Sequence, residues 1–160
     1  MELIKVGMAE LAIGKAPQKL ITTGLGSCVG ICLYDPQSKV GGLAHIMLPD
    51  SKQVKSNQNM AKYADSGILE TLNKMVAMGV DKKRVLAKIA GGAQMFNFQG
   101  TSSIMRIGER NVEAVKKELA FNGIKIVAED TGGNFGRTIT FDLENGRLHI
   151  RTINKGEKTV

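Results

Sequence analysis

The sequence predicts a single α/β domain of the α+β kind, built on a mixed β-sheet core. Three observations carry that expectation. Short apolar runs of strand length alternate with two stretches of helical periodicity, and two pairs of runs are joined by strong turn chemistry. No linker, internal repeat or low-complexity tract interrupts the 160 residues, 42% of which are hydrophobic, and a chain of that length buries an ordinary core without disulfides or metal.

The elements follow in order. Ile4 to Ile13 reads as a first strand and Lys19 to Thr23 as a short second one. Cys28 to Tyr34 and Val40 to Leu48 are apolar runs separated by Asp35-Pro36-Gln37-Ser38, with Asp first and Pro second as a turn prefers, so they form a hairpin. Pro49 to about Met60 is polar and aperiodic and reads as a mobile surface loop. A helix from about Lys62 to Met78 puts Ile68, Leu72, Met75 and Val76 on one stripe and stops at Gly79. Arg84 to Ala90 is a buried strand. A second helix from about Glu109 to Asn122 buries Val112, Val115 and Leu119 and ends at Gly123. Ile124 to Glu129 is a strand, and Thr138 to Leu143 with Leu148 to Thr152 forms a hairpin around Asn145-Gly146. Lys155 to Val160 carries no usable signal.

Composition removes several classes of function. Two cysteines, no secretory leader and no apolar run near the ~20 residues of a membrane span point to a soluble protein in the reducing cytoplasm, with no membrane insertion. The formal charge is +7, but aromatics make up 4%, Trp is absent and the basic residues are scattered, so a solvated basic surface is expected and no nucleic-acid partner. The cysteines and histidines show no zinc spacing, so no metal is expected. The run Gly24-Leu25-Gly26-Ser27-Cys28-Val29-Gly30 lacks the third glycine of a dinucleotide loop and leads into a strand, so no cofactor is expected there.

That run ends instead in a candidate nucleophile. With Pro36 and Gln37 as central turn residues, Cys28 falls directly opposite His45, where Cβ atoms stand about 4.5–5.5 Å apart. A slip of two in register would leave the pair diagonal neighbours on one face, and a slip of one would part them. Centring the last hairpin on Asn145 and Gly146 sets His149 opposite Asp142 on an exposed face, which leaves His45 as the candidate base. Cys32 lies roughly 13 Å along the strand from Cys28, beyond the ~7 Å reach of a disulfide, and reads as core packing. A cysteine beside a histidine is the minimum for nucleophilic catalysis, because the imidazole takes the thiol proton. Gly24 and Gly26 let backbone N–H groups converge on an oxyanion. By spacing alone, such a pair and a buried cysteine packed near a strand histidine both stay open.

GLGSC at 24–28, AHIMLPDS at 44–51, KYAD at 62–65, KIAGGAQMF at 88–96, ERN at 109–111 and AEDTGG at 128–133 together resemble the CheD family of bacterial chemoreceptor glutamine deamidases, in order over nearly the whole chain. The resemblance implies one deamidase domain over residues 1–160, a mixed-sheet or sandwich core with helices packed outside, similar to the deamidase domain of the cytotoxic necrotizing factor toxins. It implies a cysteine hydrolase with Cys28, His45 and a threonine six residues before the cysteine, Thr22, with Thr23 as the neighbouring alternative. Backbone N–H groups near Gly26 and Ser27 would hold the oxyanion. The implied substrate is glutamine on chemoreceptor cytoplasmic helical tails, and the implied partner is a CheC-type response-regulator phosphatase. Two other outcomes share these residues: a binding module acting chiefly through that phosphatase, and a receptor glutamyl methylesterase.

Overall fold

The computed structural model describes residues 2–53, 59–95, 106–153 and 155–160. In chain order these form β1 (Leu3–Lys5), β2 (Leu11–Lys15), β3 (Lys19–Leu25), β4 (Val29–Asp35), β5 (Val40–Ile46), α1 (Ala64–Ala77), β6 (Leu86–Gly91), α2 (Ile107–Phe121), β7 (Lys125–Thr131), β8 (Arg137–Asp142), β9 (Arg147–Thr152) and β10 (Gly156–Thr159). The described strands make two five-stranded sheets, ordered β1-β3-β8-β9-β10 and β2-β5-β4-β6-β7. Neighbours are antiparallel except β1 with β3 and β6 with β7, and α2 supplies the crossover that the second parallel pair requires.

Side-chain alternation decides the layering. Strand β4, VGICLYD, is buried along its whole length, so both of its faces are covered. Val29, Ile31 and Leu33 meet Ala44, Ile46, Ala87 and Ile89 on the face packed by Ile68, Leu72 and Met75 of α1 and Val115 and Leu119 of α2. Cys28, Cys32, Tyr34 and Leu43 face the other way, against Leu20, Leu25, Ile139, Phe141, Leu148 and Ile150 of the second sheet. The result is a mixed-sheet sandwich with both helices on one outer face, as the sequence leads one to expect.

Both helices stop where expected. The N–H of Val80 returns to the Met75 carbonyl (3.2 Å) and that of Ile124 to the Leu119 carbonyl (2.9 Å), each with a glycine just before it, and the paired side chains join the helix-side core. Val76 is the exception to the predicted stripe of α1: it is 44% exposed, because it flanks the stripe while Thr71 takes the buried position.

Three expectations are corrected. The run Ile4 to Ile13 is two strands in different sheets, broken by a turn in which the Gly7 N–H meets Glu10 Oε1 (2.7 Å) and Ala9 takes φ 58°. Strand β10 exists although GEKT has no apolar alternation; it is an exposed edge strand laid against β9. The expected mobile loop from Pro49 to about Met60 contains 3-10 turns at Ser51–Gln53 and Met60–Lys62; the part of that expectation that falls on residues 54–58 lies outside the described residues.

Candidate active site

A buried imidazole needs partners for its ring nitrogens. His45 on β5 alternates with Ala44 and Ile46, which face the helices, so its ring enters the space between the sheets. Thr22 on β3 enters the same space from the opposite sheet, while Thr23 is turned to solvent. Thr22 Oγ1 lies 2.7 Å from His45 Nδ1, and the two residues are 2% and 0% exposed. Thr22 is therefore the threonine in contact with the imidazole. Directly after it β3 bulges against β8, with Gly24 at φ 71°. His45 Nε2 is buried and has no hydrogen-bond partner among the described residues.

Cys28 reaches this space from the entry to β4. The β4–β5 ladder pairs Asp35 with Val40 and Gly30 with His45, so Cys28 is not directly opposite His45 as the turn count predicts. Four residues, Pro36 to Lys39, form the loop instead of two. The Asp35 carboxylate accepts from the Gln37 N–H (3.0 Å) and the Ser38 hydroxyl (2.7 Å), and the Lys39 N–H returns to the Asp35 carbonyl (2.8 Å) with Lys39 at φ 57°. Adding that left-handed residue lets a type I turn match the strand twist, which a two-residue version does not. The slip is two residues, so Cys28 remains a diagonal neighbour of His45 on the inter-sheet face. Gly30 faces His45 across the ladder, and a Cβ there would come within 2.6 Å of Ile139 Cδ1.

His149 shows the same slip. Asp142 pairs with Arg147, so His149 stands opposite Thr140 and not Asp142. Again the loop has four residues: the Asp142 carboxylate accepts from the Glu144 N–H (2.9 Å), and the Gly146 N–H returns to the Asp142 carbonyl (2.8 Å). The ring of His149 lies on the outer face, 3.2 Å from Thr159 Oγ1 and 3.6 Å from Glu157 Oε1. Its carboxylate neighbour thus comes from β10, the strand the sequence does not reveal.

The backbone around the thiol is held from several sides. The Gly92 N–H donates to the Cys28 carbonyl and the Ala93 N–H to the Gly26 carbonyl, each at 2.8 Å. Asn111 Nδ2, on α2, donates to the Ser27 carbonyl (3.0 Å) and the Met47 carbonyl (2.9 Å). Of the expected oxyanion donors, the Gly26 N–H is engaged with the Gly24 carbonyl (3.0 Å). The N–H groups of Ser27 and Cys28 have no backbone acceptor among the described residues.

Burial dominates the electrostatics. It pushes the Cys28 thiol above its ordinary 9.0, an effect partly offset by the residue's own backbone N–H against the sulfur. It pulls His45 below its ordinary 6.5. Both shifts favour the uncharged forms. Cys32 is fully buried, and its thiol is pushed far upward by burial, which fits packing between the sheets. No group of three metal-binding side chains occurs among the described residues.

Several motif residues without an assigned chemical role turn out to be struts. Asp65 of KYAD accepts from the Ser51 N–H (3.0 Å) and hydroxyl (2.8 Å), tying the LPDS segment after His45 to the start of α1. Asp130 of AEDTGG meets Arg137 Nε at 3.2 Å, and Arg137 also donates to the Gly132 carbonyl at 2.9 Å. A cleft of about 640 Å³ lined by Gly92, Arg106, Val112 and Lys116 lies beside α2 and does not include Cys28 or His45. Cys28 itself is 7% exposed.

Residues 47–152 match the family described as CheD chemotactic sensory transduction. The chain is 55% identical over 159 residues to the probable chemoreceptor glutamine deamidase CheD of Syntrophomonas wolfei, covering 99% of each. It is 54% identical to a protein of the same name from Caldanaerobacter subterraneus, covering 99% of this chain and 98% of that one. It is 52% identical over 160 residues to the chemoreceptor glutamine deamidase CheD of Halalkalibacterium halodurans, covering 99% of each. A match of that depth along the full length places this protein in the CheD family.

Proposed function

We propose that this protein is a protein-glutamine deamidase that converts glutamines on the cytoplasmic helical tails of chemoreceptors to glutamate, with Cys28 as nucleophile, His45 as acid and base, and Thr22 holding the ring. One observation supports it most: Thr22 grips His45 Nδ1 at 2.7 Å from the opposite sheet, while Nε2 is buried with no hydrogen-bond partner among the described residues, on the face that carries Cys28. With the Nδ1–H donated to Thr22, Nε2 presents its lone pair.

The steps follow from this arrangement. Nε2 takes the Cys28 proton as substrate excludes water, and the thiolate attacks the side-chain amide carbon. The carbonyl oxygen becomes an oxyanion facing the N–H groups of Ser27 and Cys28. Collapse breaks the C–N bond, and the proton on Nε2 goes to the departing ammonia. Water then gives a proton to Nε2 and its hydroxide attacks the thioester; collapse returns the proton to sulfur and leaves glutamate. Thr22 takes the orienting place that a carboxylate holds in other triads.

The work takes place in the cytoplasm, where receptor tails lie; no helix among the described residues is long and apolar enough to cross a membrane. The deciding measurement is mass spectrometry of a receptor cytoplasmic fragment. A gain of about 1 Da per converted glutamine is expected, absent with Cys28→Ala, through the thioester route. Loss of about 14 Da would instead identify ester hydrolysis by the same thiolate, and no change with an intact thiol would leave a binding module. A CheC-type phosphatase, offering a helix of similar shape, would compete with receptor at the Cys28 rim; unchanged deamidation at saturating phosphatase would exclude that shared site.

A further inference from the structure

The β4–β5 ladder ends at Val29 and Ile46, so the carbonyls of Ser27 and Met47 lie just beyond its last pair. One carboxamide serves both. Asn111 Nδ2 donates to Ser27 O at 3.0 Å and to Met47 O at 2.9 Å from a side chain that is 0% exposed. Its orientation is unambiguous, because the flipped amide would set an acceptor against two carbonyl oxygens. Oδ1 meanwhile is buried with no hydrogen-bond partner among the described residues. A buried acceptor left unpaired is costly, and here it accompanies two donors aimed at the two segments that carry the candidate nucleophile and base.

A trans peptide points its C=O and N–H in opposite directions. Fixing the Ser27 carbonyl on α2 therefore turns the Cys28 N–H away from the helix. That N–H acts on the thiol of its own residue, easing the upward push of burial on its pKa. An oxygen on the carbon bonded to that sulfur would meet the same N–H. The second bond fixes the chain two residues beyond His45, and the Met47 N–H is tied to the Lys62 carbonyl at 2.8 Å. Helix α2 is seated closely enough to do this, since a Cβ at Gly108 would collide with the carbonyl oxygen of Ala93.

We propose that Asn111 is a positioning residue: its carboxamide fixes the Ser27–Cys28 peptide for oxyanion binding and holds the His45 strand in register with it. This rests on the deamidase reading above. The test compares Asn111→Asp, which is isosteric but has no N–H donor, and Asn111→Ser, which reaches one carbonyl at most. Asn122→Ala is the control, removing a carboxamide of the same helix whose Nδ2 caps the Glu118 carbonyl at 2.8 Å. Deamidation of a receptor fragment, thermal unfolding and the rate of Cys28 alkylation by iodoacetamide against pH are measured on each folded variant. Losing an oriented oxyanion donor predicts a fall in kcat of about 100-fold for Asn111→Asp, with KM within about threefold, and a fall of at least about tenfold for Asn111→Ser. Asn122→Ala lowers the unfolding midpoint but keeps kcat. Should Asn111→Asp not fold, the Ser variant decides. A kcat within about twofold of the parent in a folded Asn111 variant, or an equal kcat loss in Asn122→Ala, overturns the proposal. If the unaltered protein proves inert toward receptor, the deamidase reading falls, and alkylation still judges Asn111: an unchanged pH–rate curve in both variants overturns its role, and a displaced one supports it.

Discussion

At the residue scale, burial disfavours charge on both ionisable groups of the candidate site. His45 lies below its ordinary 6.5 and Cys28 above its ordinary 9.0, both because burial disfavours the charged form. The consequence for stability has a definite sign. As pH falls below 6.5 the unfolded chain binds a proton at His45 that the folded chain refuses, so stability is lost on acidification. As pH rises above 9.0 the unfolded chain releases a thiol proton that the folded chain keeps, so stability is lost again. Thermal unfolding of His45→Gln should therefore show a flatter acid limb than the parent; an unchanged limb would refute the account. Thr22 is tested by its isostere. Thr22→Val leaves the ring in place but unpaired at Nδ1, which predicts a kcat fall of at least about tenfold and a loss of about 1–3 kcal/mol in unfolding free energy. If kcat survives, the 2.7 Å contact has no part in orienting the base.

At the scale of elements, the hairpins show what the sequence can and cannot reveal. Apolar runs and turn residues locate β4, β5, β8 and β9 to within a residue or two, and parity alone keeps Cys28 and His45 on one face. Loop length escapes, because Asp35 and Asp142 each build a four-residue loop from carboxylate and backbone bonds that the turn residues do not announce. Edge strand β10 escapes because an exposed strand needs no apolar alternation, and Asn111 because an asparagine inside a helix carries no chemical signature until its partners are known. At Gly30 the structure shows why no side chain stands there. An alanine there would press on Ile139 Cδ1 at 2.6 Å and Leu25 Cδ1 at 3.2 Å, wedging the sheets apart opposite His45. Gly30→Ala should cost about 1–3 kcal/mol of stability and separate Thr22 from His45, read as a drop in both unfolding midpoint and kcat. Parental values for both would mean the interior yields there freely.

At the scale of the whole molecule, one buried ion pair closes the sandwich at the end where the site opens. Arg137 enters from β8, beside Leu25 at the end of β3, and Asp130 from β7 in the other sheet. Their side chains are 1% and 15% exposed, with Arg137 Nε 3.2 Å from Asp130 Oδ2. Arg137 adds a bond to the Gly132 carbonyl at 2.9 Å and stacks its guanidinium 4.6 Å from the Phe135 ring centroid. Asp130 has a second cation, Lys158 at 3.0 Å, whose side chain is 56% exposed. The two partners are therefore unequal when one is removed. Asp130→Asn leaves a guanidinium that cannot lose its proton buried against carbonyl dipoles and the Phe135 ring with no counter-charge, at a cost of about 3–5 kcal/mol. Arg137→Met removes the buried charge, leaves Asp130 paired with Lys158 and keeps an apolar stem between the sheets, so its cost should be clearly smaller. Denaturant unfolding of the two variants ranks them. Equal losses, or a larger loss for Arg137→Met, would show that packing rather than charge holds the sheets together at this end.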